Sequence, residues 1–104
     1  AVVMAARTKE ALEEVASLIR ASGGTALPVP TDVSQEGQVI ALIERTQREL
    51  GKIDILVNNS GIEGATVPVV KVDLADWNQV LAVNLTGAML CAREVLNRSM
   101  VPLA

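Results

Sequence analysis

The chain has no histidine, tyrosine or phenylalanine, and a single tryptophan and a single cysteine among 104 residues. Without His and Tyr, two common general acid–base groups are missing. One cysteine forbids an intrachain disulfide, which fits a reducing, cytoplasmic compartment. The same shortage leaves no ligand set for a transition metal built from this chain alone, so no metal is expected. The nine Lys and Arg are scattered and the net charge is −3, which removes the basic footprint that nucleic acid requires. Apolar runs are short and broken by charge, so no membrane span is expected. Ala1-Val2-Val3-Met4 has neither a charged region ahead of it nor a cleavage pattern, so no signal peptide is expected. The chain starts inside an apolar run, as a cut end would.

What is present is an alternation. Half of the residues are apolar, and three β-branched runs alternate with three helical patterns. Ala1–Ala6 reads as a buried strand. From Thr8 to about Ser22, Ala11, Leu12, Val15, Ala16, Leu18 and Ile19 recur with helical period, with Thr8 as cap and Gly23-Gly24 as stop. Thr25–Pro30 is a second strand, and its two prolines argue for an edge or an irregular end. Asp32 and Ser34 offer caps for a helix with Val39, Leu42, Ile43, Thr46 and Leu50 on one face and Gly51 at its end. Ile53–Val57 reads as the clearest strand of the three. A loop follows to about Val72, and Asp73 caps a last helix with the stripe Trp77, Val80, Leu81, Ala88, Cys91, Val95. The order βαβαβα with short connections implies parallel strands and an α/β fold of the doubly wound kind.

In such folds ligands bind beyond the carboxyl ends of the strands, and four places there carry chemistry. Arg7 directly follows the first strand, where a guanidinium would grip a ribose 2′-phosphate and neutral Ala6 leaves room for it; a solvated Arg at a helix start is the alternative. In Thr31-Asp32-Val33, the carboxylate would accept from an adenine amino group while Val33 packs on the ring, or Asp32 is simply a helix cap. Asn58-Asn59-Ser60-Gly61 follows an apolar strand, where two amides need hydrogen-bond partners if buried and Gly61 admits close backbone approach; a plain turn is the alternative. Asn84 falls on the last helix's apolar stripe and is expected to be buried and satisfied, as a kink in the helix or as the holder of a water.

Taken together, Asp54-Ile55-Leu56-Val57-Asn58-Asn59-Ser60-Gly61 and Trp77-Asn78-Gln79-Val80-Leu81-Ala82-Val83-Asn84-Leu85-Thr86-Gly87 resemble the classical short-chain dehydrogenases/reductases, in order and spacing across essentially all 104 residues. Ser60 stands where the family usually has Ala. The resemblance implies that residues 1–104 are part of a single NADP-binding Rossmann-type domain. It implies that Arg7 selects NADP, that Asp32 and Val33 contact adenine, and that Asn59, Ser60 and Gly61 lie beside the nicotinamide ribose. Asn84 then matches a catalytic Asn whose carbonyl positions a water in a proton relay.

The activity so implied is hydride transfer between NADP(H) and a small carbonyl/alcohol substrate, in a homo-oligomer. The family's glycine-rich phosphate turn and its Tyr-x-x-x-Lys pair have no match in these residues, and neither Ser99 nor Lys71 stands in the matching context. An interior fragment is therefore expected, inactive by itself. The other readings are a truncated scaffold or interaction module of the same fold, and a nucleotide-binding α/β domain of another family. In the strand order the resemblance implies, one more strand belongs between Ala1–Ala6 and Ile53–Asn58, so a gap is expected there.

Overall fold

The structure, a computed structural model, describes residues 1–101, so the last three residues of the expected domain lie outside it. Strand β1 (Val2–Ala6) is followed by helix α1 (Lys9–Ala21), strand β2 (Ala26–Pro30) and helix α2 (Glu36–Leu50). β1 and β2 pair in parallel, Val2 opposite Ala26 and Ala6 opposite Pro30. The ladder is extended at its ends by the Val2 N–H on the Thr25 carbonyl and the Thr31 N–H on the Ala6 carbonyl. Pro28 and Pro30 can donate nothing to a ladder, and among the described residues β2 has a partner on one side only, as edge strands with proline must. Gly23 and Gly51 stop the two helices with φ of 87° and 89°, the left-handed region where a side chain is strained. Thr8 stands at the N-cap of α1, but its hydroxyl makes no capping bond.

Side chains alternate across a strand, so Val3, Ala5 and Val29 face one side and Ala26 the other. On the first side they pack on Leu42 and Ile43 of α2 and on Val95. On the other side α1 covers β2 with Leu12 and Ala16, and Ala26 is buried. Helices thus cover both faces of the sheet, as a doubly wound arrangement requires.

The expected third strand does not form. Ile53–Val57 forms no regular element and has no ladder partners, and the sheet consists of β1 and β2 alone among the described residues. Its apolar residues meet different fates. Ile53 and Leu56 pack on the core, whereas Ile55 and Val57 are 80% and 76% exposed. Between this run and β1 lies a groove of about 690 Å³, walled by Val2, Val3 and Ala5 on one side and Ile53, Ile55 and Val57 on the other. An apolar run becomes a strand only when its N–H and C=O groups find a ladder, and β1 stands across the groove. The gap expected from the strand order is there. The radius of gyration of 15.7 Å exceeds the roughly 13 Å of a compact chain of about 100 residues, in keeping with a divided sheet.

The last helix is a segmented rod: α3 (Leu74–Leu81), a π-turn (Ala82–Thr86), α4 (Gly87–Val95) and a second π-turn (Leu96–Met100). Asp73 caps it as expected, accepting from the Ala75 N–H at 2.9 Å. The single stripe expected along it is corrected, because Trp77 and Leu81 are exposed and the buried residues are Val83, Gly87, Leu90, Cys91, Glu94 and Val95. A π-turn holds one residue more per hydrogen-bonded loop than an α-turn, so the apolar face ahead of it and the one after it are out of phase.

Gly87 sits where α4 crosses the chain leaving β2. A Cβ there would lie 2.6 Å from Cγ2 of buried Val33 and 3.2 Å from its carbonyl oxygen. Gly87→Ala is expected to destabilise by about 1–3 kcal/mol, the usual effect of overpacking, despite Ala's better helix propensity. Gly37→Ala in α2, where a Cβ meets nothing within 4 Å, is expected to be neutral or to stabilise by up to about 1 kcal/mol. Urea midpoints at constant m-value measure both.

Candidate functional site

Parallel pairing brings the carboxyl ends of β1 and β2 side by side, and with them Arg7 and the Thr31-Asp32-Val33 segment. Arg7 is exposed and forms no ion pair among the described residues, yet it is close enough for its charge to be felt at Asp32. The Asp32 carboxylate accepts from the Ser34 hydroxyl at 2.6 Å and from the Ser34 N–H at 3.0 Å. Those two bonds, with a smaller contribution from Arg7, hold its carboxyl below the usual carboxylate range against the opposing effect of burial. Asp32 therefore closes an Asx turn one step ahead of α2, whose N-cap position belongs to Gln35. The Asp32 N–H donates to the Gln38 side chain at 2.8 Å. Val33 is buried against Val39, Val83, Leu90 and Cys91, so its side chain belongs to the core and only reaches the groove's lining.

Asn58, Asn59, Ser60 and Gly61 follow this apolar run and are all exposed, so the two amides escape the cost that burial would impose. Asn58 reaches the Ala88 carbonyl with its amide nitrogen at 3.4 Å. Asn58 and Ser60 share a small recess with Val33, Gly87 and Cys91. The structure therefore brings the β2 strand end, the Asn58–Ser60 segment and the start of α4 to one place.

Asn84 is exposed rather than buried, which corrects the expectation drawn from the stripe. It lies inside the first π-turn, which displaces it from the apolar face. Its amide is nonetheless satisfied. The oxygen accepts from the Ile62 N–H at 2.8 Å and the nitrogen donates to the Ile62 carbonyl at 2.9 Å. A side-chain amide paired in this way with a backbone amide holds the chain just after Gly61. A Cβ on Gly61 would approach the Asn84 oxygen only to 3.6 Å, so packing within this chain does not demand glycine there.

Two features escaped the sequence reading. Glu94 is buried on α4 between Arg93 and Arg98, which also reach Glu36 and Glu44 of α2. Its hydrogen bonds with Arg98 and Arg93 hold its carboxyl low; the i, i+4 spacing of Glu94 and Arg98 was the available signal. Asp76 and Gly64 are the second feature. Asp76 accepts from the Ala65 N–H at 3.0 Å, where the sequence suggested only a favourable charge in a first helical turn. Cys91 is buried and its thiol is pushed up by burial, the reverse of what a reactive nucleophile needs. No group of metal-binding side chains occurs among the described residues, and no helix there is long and apolar enough to cross a membrane.

Residues 1–101 match the family model described as short chain dehydrogenase. The chain is 38% identical over 96 residues to cis-4-hydroxycyclohexanecarboxylate dehydrogenase of Sinomonas cyclohexanicum, covering 92% of this chain and 39% of that protein. It is 38% identical over 94 residues to 3-oxoacyl-[acyl-carrier-protein] reductase of Synechocystis sp., covering 90% and 38%. Among solved structures, NAD+-bound xylitol dehydrogenase is similar with a TM-score of 0.88 at 34% identity, covering 92% of this chain and 37% of that one. The chain thus spans about two fifths of the length of these relatives. The fold is α/β of the doubly wound, Rossmann type, with its sheet incomplete in this chain.

Asp32 supplies a test of the strand-end geometry. A carboxyl whose pKa is lowered by folding stabilises the fold above its unfolded pKa, and that contribution disappears as pH falls through the folded value. Ser34→Ala removes the hydroxyl bond and keeps the N–H, so the Asp32 pKa is expected to rise towards its unfolded value, and the stability that Asp32 contributes at neutral pH, with its loss in acid, to shrink. Carboxyl NMR titration reads this directly; an unmoved Asp32 titration would show that the hydroxyl does not hold it.

Proposed function

This chain belongs to the short-chain dehydrogenase family, and from that premise we propose that the whole protein is an oxidoreductase moving a hydride between NADP(H) and a small carbonyl/alcohol substrate. The observation that carries the cofactor choice is Arg7, an exposed guanidinium at the carboxyl end of β1 with no ion pair among the described residues. Its five donors in a planar fork suit a 2′-phosphate, where an acidic residue would repel it. Nicotinamide, when bound, supplies the hydride chemistry, and the residues here bind and orient. Asp32 keeps one carboxylate oxygen clear of Ser34 for the adenine amino group, and Val33 contributes the apolar wall beside it. Asn59, Ser60 and Gly61 stand beside the nicotinamide ribose, and Asn84 holds a water for the proton relay through a carbonyl oxygen.

The chain contains no Tyr, so the general acid–base of this reading comes from the rest of the whole protein, in one Rossmann-type domain with residues 1–104. Exposed Leu85, Met89 and Leu96 on the helical rod support burial against further protein, and a homo-oligomer is the assembly proposed. A cytoplasmic location agrees with the lone, buried thiol.

Arg7→Ala, made in the protein as its gene encodes it, is expected to weaken NADPH by about 1.5–3 kcal/mol, the range for hydrogen bonds to charged groups, and NADH far less. Fluorescence titration with both nucleotides tests this. Equal losses would remove Arg7 from the 2′-phosphate role.

A further inference from the structure

The helix residues Asp76, Val80 and Asn84 recur every four positions, and all three meet the loop that leaves Gly61. Asn84 binds both backbone groups of Ile62, and Asp76 accepts from the Ala65 N–H. Between them Gly64 lies flat on the helix: a Cβ there would sit 3.0 Å from the Asp76 oxygen and 3.1 Å from the Val80 methyl. In a regular α-helix, residues eight apart drift in angle, at about 100° per residue. The π-turn that holds Asn84 rotates less per residue and keeps it in line with Asp76 and Val80.

We propose that Asp76 is a positioning residue which, with Asn84, clasps residues 61–65 to one face of the helix, so that the freely variable part of the loop begins only after Ala65. Beyond that point Val67, Val69 and Val70 are exposed, and the short 3₁₀ turn Val69–Lys71 carries two of them. Resting on the reading given above, this apolar stretch faces the substrate, and the clasp sets its distance from the Asn59–Gly61 turn. Asp76 touches no reacting atom. Its effect is on where the substrate-facing stretch stands.

The test has two readouts in the protein as its gene encodes it. NMR amide exchange should show Ala65 exchanging roughly tenfold faster in Asp76→Ala, as expected for loss of one hydrogen bond to a charged acceptor, with Ile62 little changed. Asp76→Asn keeps an acceptor oxygen and should restore protection. Gly64→Ala should free Ala65 with Asp76 intact. In kinetics, Asp76→Ala should raise KM for the carbonyl or alcohol several-fold and leave KM for the nucleotide unchanged.

Wild-type exchange at Ala65 in Asp76→Ala overturns the clasp. If that variant unfolds, so that α2 amides exchange as fast as the loop, Gly64→Ala decides, and wild-type protection of Ala65 there overturns it. A freed Ala65 with unchanged substrate KM overturns the positioning role. Absence of any carbonyl–alcohol activity would instead sink the proposed reaction, while the exchange data still decide the clasp.

Discussion

The contact on which the rest of the structure depends is the seating of Gly87 against Val33. A helix can cross the chain leaving β2 this closely only where it has no side chain. From that point α4 runs along α2, burying Leu90, Cys91 and Val95 against Val39, Leu42 and Ile43. In the other direction the rod carries Asn84 and Asp76 to the loop. The strand end, the recess at Ser60 and the loop fastenings therefore share one reference point. Apolar burial holds it: Val39 and Val95 are fully buried side chains. The arginine–glutamate pairs joining α2 to α4 and to the second π-turn have half-exposed outer partners and add the small amount typical of surface pairs.

Much of this was legible in the residues, and the misses have physical causes. The parallel βαβα order followed from periodicity and glycine stops, because those patterns act over a few residues and need no distant partner. Ile53–Val57 has the composition of a strand and lacks only a neighbour, which no local pattern can supply. The stripe on the last helix was read with one period throughout, and a π-turn in mid-helix breaks that assumption. Hence Trp77 and Leu81 were placed inside and stand outside, and Asn84 was placed in the core and stands at its edge with a satisfied amide. Asp32 and Ser34 were read as caps of α2 and instead bond to one another one turn early. Asp76 illustrates a different limit: its charge was legible, but its acceptor role depends on a loop eleven residues away folding back onto it.

The site is assembled from chain segments that end, rather than from elements that pass through. β1 ends just before Arg7, β2 two residues before Asp32, and the run Ile53–Val57 just before Asn58, while the π-turn interrupts the helix at Asn84. Backbone groups at such ends have no ladder or helix to satisfy them, so they are open to side chains and ligands. Ser34 with Asp32, and Ile62 with Asn84, are instances in which the chain's own residues take that place.

The π-turn at Ala82–Thr86 also bears on how the chain tolerates change in length. Such a turn is what remains when one residue is inserted into an α-helix without being expelled as a loop. A single deletion within it would restore uniform winding and leave every buried residue of α4 in place, since Gly87 anchors that half. Because five residues at the smaller π rotation span roughly the same angle as four α residues at about 100° each, α3 would keep its orientation. What would shift is the place of Asn84 relative to Asp76 and Val80, so the protein would keep its core while losing one of the two fastenings of residues 61–65. Residue count inside these five positions is thus constrained along with the identity of Asn84, because the winding of the helix sets where that side chain stands.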